Sequence, residues 1–334
     1  MSKQIKEWPS VRGPLVIGVD LGGTQIRAAL IQEGRLLSRV SALTQDEEGQ
    51  AAVIQRVKAA IHQVAQQAEV PLEQVLGIGI AAPGPLDSRS GVIISPPNLK
   101  GWHHVPLRQI IHEEFQMPVA LGHDASVAGL GEHFFGAGRG TPDMIYITVS
   151  TGIGGGVLRG GKIIEGVSGV APEPGHMTID VHGPRCNCGN IGCLEMLASG
   201  TAIARQAAEA IAQGQGQGVL EVARALQTQE VDARVVVAAA QRGDQAASAI
   251  MRQAAEYVGV GLVNLIHIFN PALIVIGGGV AQAGPLLFEP MQQIVEQRAM
   301  EVQRQAVRIV PAELGKDVGL LGAAANLLQQ QTVR

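Results

Sequence analysis

The sequence predicts an α/β protein of two domains, and three observations carry that prediction. The chain has 334 residues, more than one domain of ordinary size holds. Its hydrophobic residues, 46% of the total, are mainly Ala, Val, Ile and Leu, with aromatics at only 3% and 43 glycines. That balance suits parallel strands covered on both faces and joined to helices by tight glycine turns. Finally, a strand, a glycine turn and another strand open the pattern twice, at Leu15 and again at Asp143. The repetition reads as a duplicated core rather than one doubly wound sheet.

The elements follow in order. Leu15–Val19 is a short apolar run that meets Asp20-Leu21-Gly22-Gly23-Thr24, a strand and its glycine turn. Arg27–Ile31 and Leu36–Leu43 continue as strands, with Glu33-Gly34 as hairpin punctuation between them. Glu47–Ala68 carries Val53, Val57, Ile61 and Val64 at helical spacing. Val75–Ala81 is a buried strand, Leu107–Phe115 a helix and Val119–Leu121 a strand, so the first part reads βββαβαβ. Asp124 opens a helix over Ala125–Phe134, and Gly136–Gly140 is a linker. The second part repeats the opening with a strand at Asp143–Val149, a glycine loop at Ser150–Gly156 and a further strand. Leu194–Arg242 is mostly helical with a break at Gln213–Gly218, and a long helix fills Asp244–Ile268. A strand at Leu273–Ile276 ends in Gly277-Gly278-Gly279. A helix at Pro285–Arg298, a strand at Val307–Pro311 and a last helix at Val318–Gln331 complete the chain.

Composition narrows the function. A net charge of −4 with no basic cluster lacks the footprint of a nucleic-acid binder. Met1 to Pro14 has no apolar stretch of the signal-peptide kind, and no run has the length and hydrophobicity of a membrane span. Three cysteines, an odd number confined to Cys186–Cys193, argue against a disulfide framework. The expectation is a soluble cytoplasmic protein with neither nucleic acid nor membrane as partner.

The glycine loops point to phosphate. Backbone N–H groups approach a phosphate closely only where no Cβ intervenes, which is what Gly22 and Gly23 supply, with the Thr24 hydroxyl as a further donor. Asp20, at the strand end, can hold Mg²⁺ through water. An ordinary turn accounts for this loop taken alone. Thr151, Gly152 and Gly154 in the next loop, and Gly277, Gly278 and Gly279 at a strand's carboxyl end, repeat the arrangement. None has the Lys of a P-loop, yet three such loops favour a nucleotide over coincidence.

His176, Cys186, Cys188 and Cys193 follow the pattern H-x9-C-x-C-x4-C, the donor set of a closed tetrahedral Zn²⁺ site. With all four positions filled by protein, the zinc would be structural; a thiol redox role is the lesser alternative. Glu173, held between two prolines, and Glu195, two residues beyond Cys193, flank this loop and make a binding site for hydroxyls. Asp124 stands at a helix N-terminus, where the dipole favours a carboxylate; an N-cap would account for it equally.

Taken together, these residues resemble the ROK family (repressor, open reading frame, kinase), and within it the bacterial glucokinases. The likeness runs from Leu15 to about Leu328. Its carriers are Asp20–Thr24, Pro97-Asn98-Leu99-Lys100-Gly101-Trp102, His123-Asp124-Ala125, Ser150–Gly156, Glu173-Pro174-Gly175-His176, Cys186–Glu195 and Gly277–Gly279. The resemblance implies an actin-like, hexokinase-type (ribonuclease-H-like) fold of two domains around a cleft. The smaller would comprise residues 1–123 and about 318–334, the last helix returning to it, and the larger residues 124–317 with the zinc loop. It implies ATP with Mg²⁺ as phosphate donor, and Asp124 as the base that takes the proton from the 6-hydroxyl of a hexose, glucose above all. Asn98, Glu173, His176 and Glu195 would lie along the sugar, with His176 serving zinc as well. Two positions depart from the family: His123 stands where Asn is usual, and Pro172 replaces the common Gly. Both touch sugar contacts and so bear on which sugar is accepted.

Alternatives of other kinds are a kinase for an N-acetylhexosamine or mannose, a polyphosphate donor, and a sugar-responsive repressor of the same family. The repressors carry a helix-turn-helix before the first strand, for which the 14 residues ahead of Leu15 are too few. A homo-oligomer, dimer or tetramer, is expected.

Overall fold

The computed structural model describes residues 13–170 and 172–332. Most of the N-terminal stretch judged free of a signal peptide lies outside the described residues. The chain divides into two compact units. Of the described residues, the first takes 13–139, 165–170 and 316–332, and the second 140–164 and 172–315.

The first unit opens with β1 (Leu15–Leu21), β2 (Gln25–Gln32) and β3 (Arg35–Leu43), antiparallel neighbours. Glu33 and Gly34 both adopt positive φ, the two-residue turn whose twist matches a hairpin. Helix α1 (Gln50–Gln67) buries Val53, Ile54, Val57, Ile61 and Val64, the stripe that its period sets. Strand β4 (Val75–Ala82) joins β1 in parallel, followed by a small hairpin of β5 (Leu86–Asp87) and β6 (Val92–Ile93). Helix α2 (Leu107–Phe115), strand β7 (Val119–His123) and helix α3 (Asp124–Phe135) follow, and α11 (Val318–Thr332) returns to the same unit. The sheet runs β3-β2-β1-β4-β7.

The second unit repeats that order. Strands β8 (Met144–Val149), β9 (Ile153–Arg159) and β10 (Lys162–Ile163) are antiparallel, and β11 (Leu273–Gly277) and β12 (Arg308–Pro311) extend β8 in parallel. Its sheet runs β10-β9-β8-β11-β12, which is the first order again. Its helices are α4 (Leu194–Ala198), α5 (Gly200–Ala212), α6 (Gln217–Ala225), α7 (Ala233–Gln241), α8 (Gln245–Phe269), α9 (Pro285–Arg298) and α10 (Glu301–Ala306). Helix α8 passes through one continuous core with Ile145, Ile147, Leu262, Ile266, Ile274 and Met291. Among the described residues no helix is long and apolar enough to cross a membrane.

Two expectations need correction. The larger domain was expected to begin at Asp124, but α3 belongs to the first unit, whose boundary falls after Arg139. The reason is packing: Gly131 of α3 and Gly322 of α11 bring the two helix backbones into contact. The glycine loop expected over Ser150–Gly156 is also shorter. Only residues 150–152 turn, and Gly154, Gly155 and Gly156 pair with Thr148, Ile147 and Tyr146 inside β9. A Cβ on Gly155 would lie 2.5 Å from the Tyr146 carbonyl, so these glycines mark a crowded strand.

Candidate active site

In the first unit the β1–β2 turn is held from the residue that follows β3. Thr44, fully buried, donates its hydroxyl to the Gly22 carbonyl at 2.6 Å and its N–H to the Thr24 carbonyl at 2.9 Å. Gly22 N–H donates to Gln25 at 2.9 Å, which leaves Thr24 exposed at the tip. Asp20 lies opposite Arg27 in the hairpin register, and the Arg27 guanidinium pairs with its carboxylate. Another Arg27 nitrogen donates to the Lys316 carbonyl at 2.7 Å, and Gly319 at the start of α11 lies against the same carboxylate. Burial pushes the Asp20 carboxyl above its ordinary range, Arg27 opposes this, and the charge of Asp124 adds to it. The charge of Asp124 thus reaches Asp20 within the same unit.

Asp124 follows directly where β7 meets α3. One oxygen accepts the Ala125 N–H at 2.6 Å, and half of the side chain stays open to solvent. That geometry suits an ionised base with a face left for a hydroxyl. His123 caps the same helix, its Nδ1 3.5 Å from Asp124 and its ring packed on Gly84. In the Pro97–Trp102 segment, Leu99 and Trp102 are buried and pin the chain, so Asn98 and Lys100 project outward. The Asn98 backbone lies on the glycine turn: a Cβ at Gly23 would sit 2.6 Å from its carbonyl oxygen. Asp20, Gly22, Gly23, Thr24, Asn98, His123 and Asp124 all fall within this unit.

In the second unit, Ser150, Thr151 and Gly279 line a cavity of about 640 Å³, with Thr201, Ala204 and Ala233 on its walls. The volume suits a ligand of nucleotide size. Gly277 ends β11, Gly278 takes a positive φ of 91°, and Gly279 leads into a short 3₁₀ turn at Val280–Ala283. Gly152 sits beside Ile153, whose N–H donates to Glu195 at 2.9 Å. The cavity walls from α5 and α7 escaped the sequence reading, since they are small residues on unremarkable helices.

The cysteine cluster closes as its spacing implied. One donor atom from each of His176, Cys186, Cys188 and Cys193 lies within 4.8 Å of the other three. His176 Nδ1 is 3.7 Å from Cys186 Sγ, and Cys188 Sγ is 3.7 Å from Cys193 Sγ. Donors bonded at roughly 2.0–2.3 Å to a tetrahedral zinc stand about that far apart, so the set fits the ion. Burial and the neighbouring thiols push Cys193 up to about 12, a cost that a bound cation would remove, whereas the backbone at Asn190 holds Cys188 below the usual thiol range. Glu173 is exposed at the entry to the short turn Pro174–His176, just after Pro172, and Glu195 lies in the first turn of α4 after Cys193.

Comparison with known proteins places the chain. The family model described as "ROK family" matches residues 16–331. A glucokinase of Thermotoga maritima is 37% identical over 94% of this chain and 98% of its own length. A xylose repressor of Caldicellulosiruptor bescii is 31% identical, covering 94% of this chain but 78% of itself. Among solved structures, a ROK hexokinase from Thermus thermophilus is 38% identical with a TM-score of 0.78, covering 96% of this chain and all of that one. A ROK glucokinase from Streptomyces griseus, in complex with glucose and AMPPNP, is 34% identical with a TM-score of 0.80, covering 94% and 99%. With its actin-like, hexokinase-type α/β architecture and a match that spans nearly every described residue, the chain belongs to the ROK family.

Proposed function

We propose that this chain is an ATP-dependent sugar kinase that transfers a phosphoryl group to the 6-hydroxyl of a hexose, glucose first. The observation that carries the reading is Asp124, a half-exposed carboxylate at the head of α3. It stands in a chain matched almost end to end by a glucokinase. Phosphoryl transfer depends on positioning and charge neutralisation, so a weakly basic carboxylate is enough to accept the hydroxyl proton. Asp124 stands in the first turn of α3, where the helix dipole favours a carboxylate, and the Ala125 N–H fixes one oxygen while half of the side chain stays open to solvent. Asn98, His123, Glu173, His176 and Glu195 are read as sugar contacts, the donors and acceptors that orient the hydroxyls.

The nucleotide reading rests on the cavity beside Ser150, Thr151 and Gly279 in the second unit and on the glycine turn after Asp20 in the first. A bound Mg²⁺ would neutralise the charge on the transferring phosphate; Asp20 would hold it through water, with the Thr24 hydroxyl donating to the phosphate. Zinc on His176, Cys186, Cys188 and Cys193 would brace the loop that carries Glu173 and Glu195, without entering the chemistry.

The xylose repressors in the family favour a second reading, a sugar-sensing regulator. Retention of both Asp20 and Asp124 supports the enzyme. An N-acetylhexosamine or mannose as substrate, and polyphosphate as donor, remain as variants of the same reaction. The reading extends to a cytoplasmic homo-oligomer, dimer or tetramer, which sedimentation of the purified protein tests. A panel of hexoses and N-acetylhexosamines with ATP–Mg²⁺, followed by ADP release, decides the substrate. Release with glucose well above the rest is expected, and no release with any sugar sinks the enzyme. Metal analysis of protein purified without added zinc should find one zinc per chain.

A further inference from the structure

We infer that Glu195 is a positioning residue for the phosphate-binding turn, in addition to the sugar contact assigned to it. The inference rests on the kinase reading for its function, but its geometry lies wholly within the second unit. The turn between β8 and β9 comprises residues 150–152, and Ile153 begins the next strand. Ile153 N–H donates to Glu195 Oε2 at 2.9 Å. A Cβ added to Gly152 would lie 2.4 Å from that same oxygen, so Oε2 rests directly on the turn. The glycine here is required by a carboxylate from α4, whatever it also does for a phosphate.

The residues after Glu195 grip the other end of the turn. Gly200 N–H donates to the Ser150 carbonyl at 2.7 Å. Thr201 reaches the Thr151 carbonyl twice, with its N–H at 3.2 Å and its hydroxyl at 2.8 Å. One short stretch, 195–201, therefore sets the amide at the end of the turn and two carbonyls at its start. Glu195 Oε1 accepts no hydrogen bond among the described residues, so one oxygen serves the turn and the other is available to a sugar hydroxyl. A negative charge beside a phosphate site disfavours the anion, and an amide would accept the Ile153 N–H equally well. A carboxylate here makes sense if the second oxygen has work of its own. Sugar held by Oε1 would then stiffen the turn through Oε2, which links the affinities for the two substrates reciprocally.

The test separates the two oxygens. Nucleotide affinity is measured by calorimetry with AMPPNP–Mg²⁺ in the absence of sugar, for wild type, Glu195→Gln and Glu195→Ala. Removing a charge-assisted acceptor should weaken nucleotide binding about tenfold in Glu195→Ala. Glu195→Gln, which keeps an acceptor, should stay within about twofold for nucleotide while its KM for glucose rises at least about tenfold. Hydrogen exchange of the unliganded protein provides a second readout: Ile153 should exchange faster in Glu195→Ala and as in wild type in Glu195→Gln. Gly152→Ala, which displaces the carboxylate without touching α4, should speed exchange at Ile153 as well and replaces Glu195→Ala should that variant fail to fold. Unchanged nucleotide affinity and unchanged Ile153 exchange in Glu195→Ala overturn the inference, as does equal loss in the Gln and Ala variants. Should wild type release no ADP with any sugar, the kinase reading falls while the exchange measurement still decides the role of Glu195.

Discussion

The two glycine turns occupy the same place in two copies of one sheet order, yet they are built from opposite materials. The β1–β2 turn is ionic: Asp20, Arg27 and Asp124 surround it, and a buried threonine, Thr44, holds its backbone. The β8–β9 turn has no charged residue of its own and opens on a cavity of about 640 Å³. It is held from outside by Glu195, Gly200 and Thr201. In both, a residue read as a sugar contact lies directly on the glycine, Asn98 on Gly23 and Glu195 on Gly152. The difference teaches that duplication supplied the scaffold while chemistry diverged. Charged groups gathered in the first unit, and an open cavity with neutral turn residues in the second; under the proposed function the first would serve the transfer and the second the nucleotide.

If that division is right, substitutions in the first unit should act on turnover and those in the second on affinity. The largest effect is expected for Asp124→Asn, which removes the proposed base. Turnover should fall by about two to four orders of magnitude while the KM for ATP stays within about twofold. Near-wild-type turnover would break the comparison at its strongest point.

Asp20→Asn should lower turnover by about two orders of magnitude, because it removes charge that the transfer needs. It carries a stability signature as well. Burial holds the Asp20 carboxyl above its ordinary range, so ionisation works against the folded state. The favourable contribution is complete below the unfolded pKa, near about 3.9, and is lost as pH rises through the folded value. At pH 7 the Asn variant should therefore melt at or above the wild-type temperature, with the gap closing as pH approaches 3. A melting temperature clearly below wild type at pH 7 would contradict this.

In the second unit, Ala204→Phe places a ring on the cavity wall. The KM for ATP should rise about tenfold with turnover within about twofold, the mark of binding lost equally from ground and transition states. A collapse of turnover instead would mean that the cavity takes part in chemistry.

The smallest effect sharpens the comparison at its edge. His123→Asn restores the residue usual in the family while keeping a donor and an acceptor. The variant should stay active, with the KM for sugar changed by a factor of about two to three and the KM for ATP unmoved. A change in the ATP constant would show that His123 works through the nucleotide instead.

Much of this was legible from residues alone, and the misses are informative. Helices α2 and α9 carry their own period and boundaries, with Phe115 ahead of a left-handed Gln116 and Pro285 at the first helical position. Helix α10, at Glu301–Ala306, has one turn and a half and no buried side chain, so nothing in its pattern announces it. The break between α6 and α7 was missed because Leu226–Asp232 contains no glycine, although Asp232 caps α7 through Arg234 and Val235. The run Ser150–Gly156 was read as a loop because glycine usually punctuates; here half of it is strand, made of glycine so that Pro174 and Tyr146 can close on it.

The sequence by itself determined the order of most strands and helices, the duplicated opening, the four zinc-type donors and the carboxylate at the head of α3. Each of these depends on spacing within a few residues, where period, turn chemistry and ligand type leave a local trace. Only the tertiary structure decided that α3 stays with the first unit, that Arg27 turns to Asp20 and the Lys316 carbonyl, and that Glu195 rests on the turn at Gly152. It also decided that residues from 150 to 283 would together enclose a cavity. Apart from Arg27 and Asp20, which face each other across one hairpin, these are contacts between positions dozens or hundreds apart, and they exist only once the core has packed. Side-chain identity limits which partners are possible, but the approach of backbones through glycine selects the ones that meet.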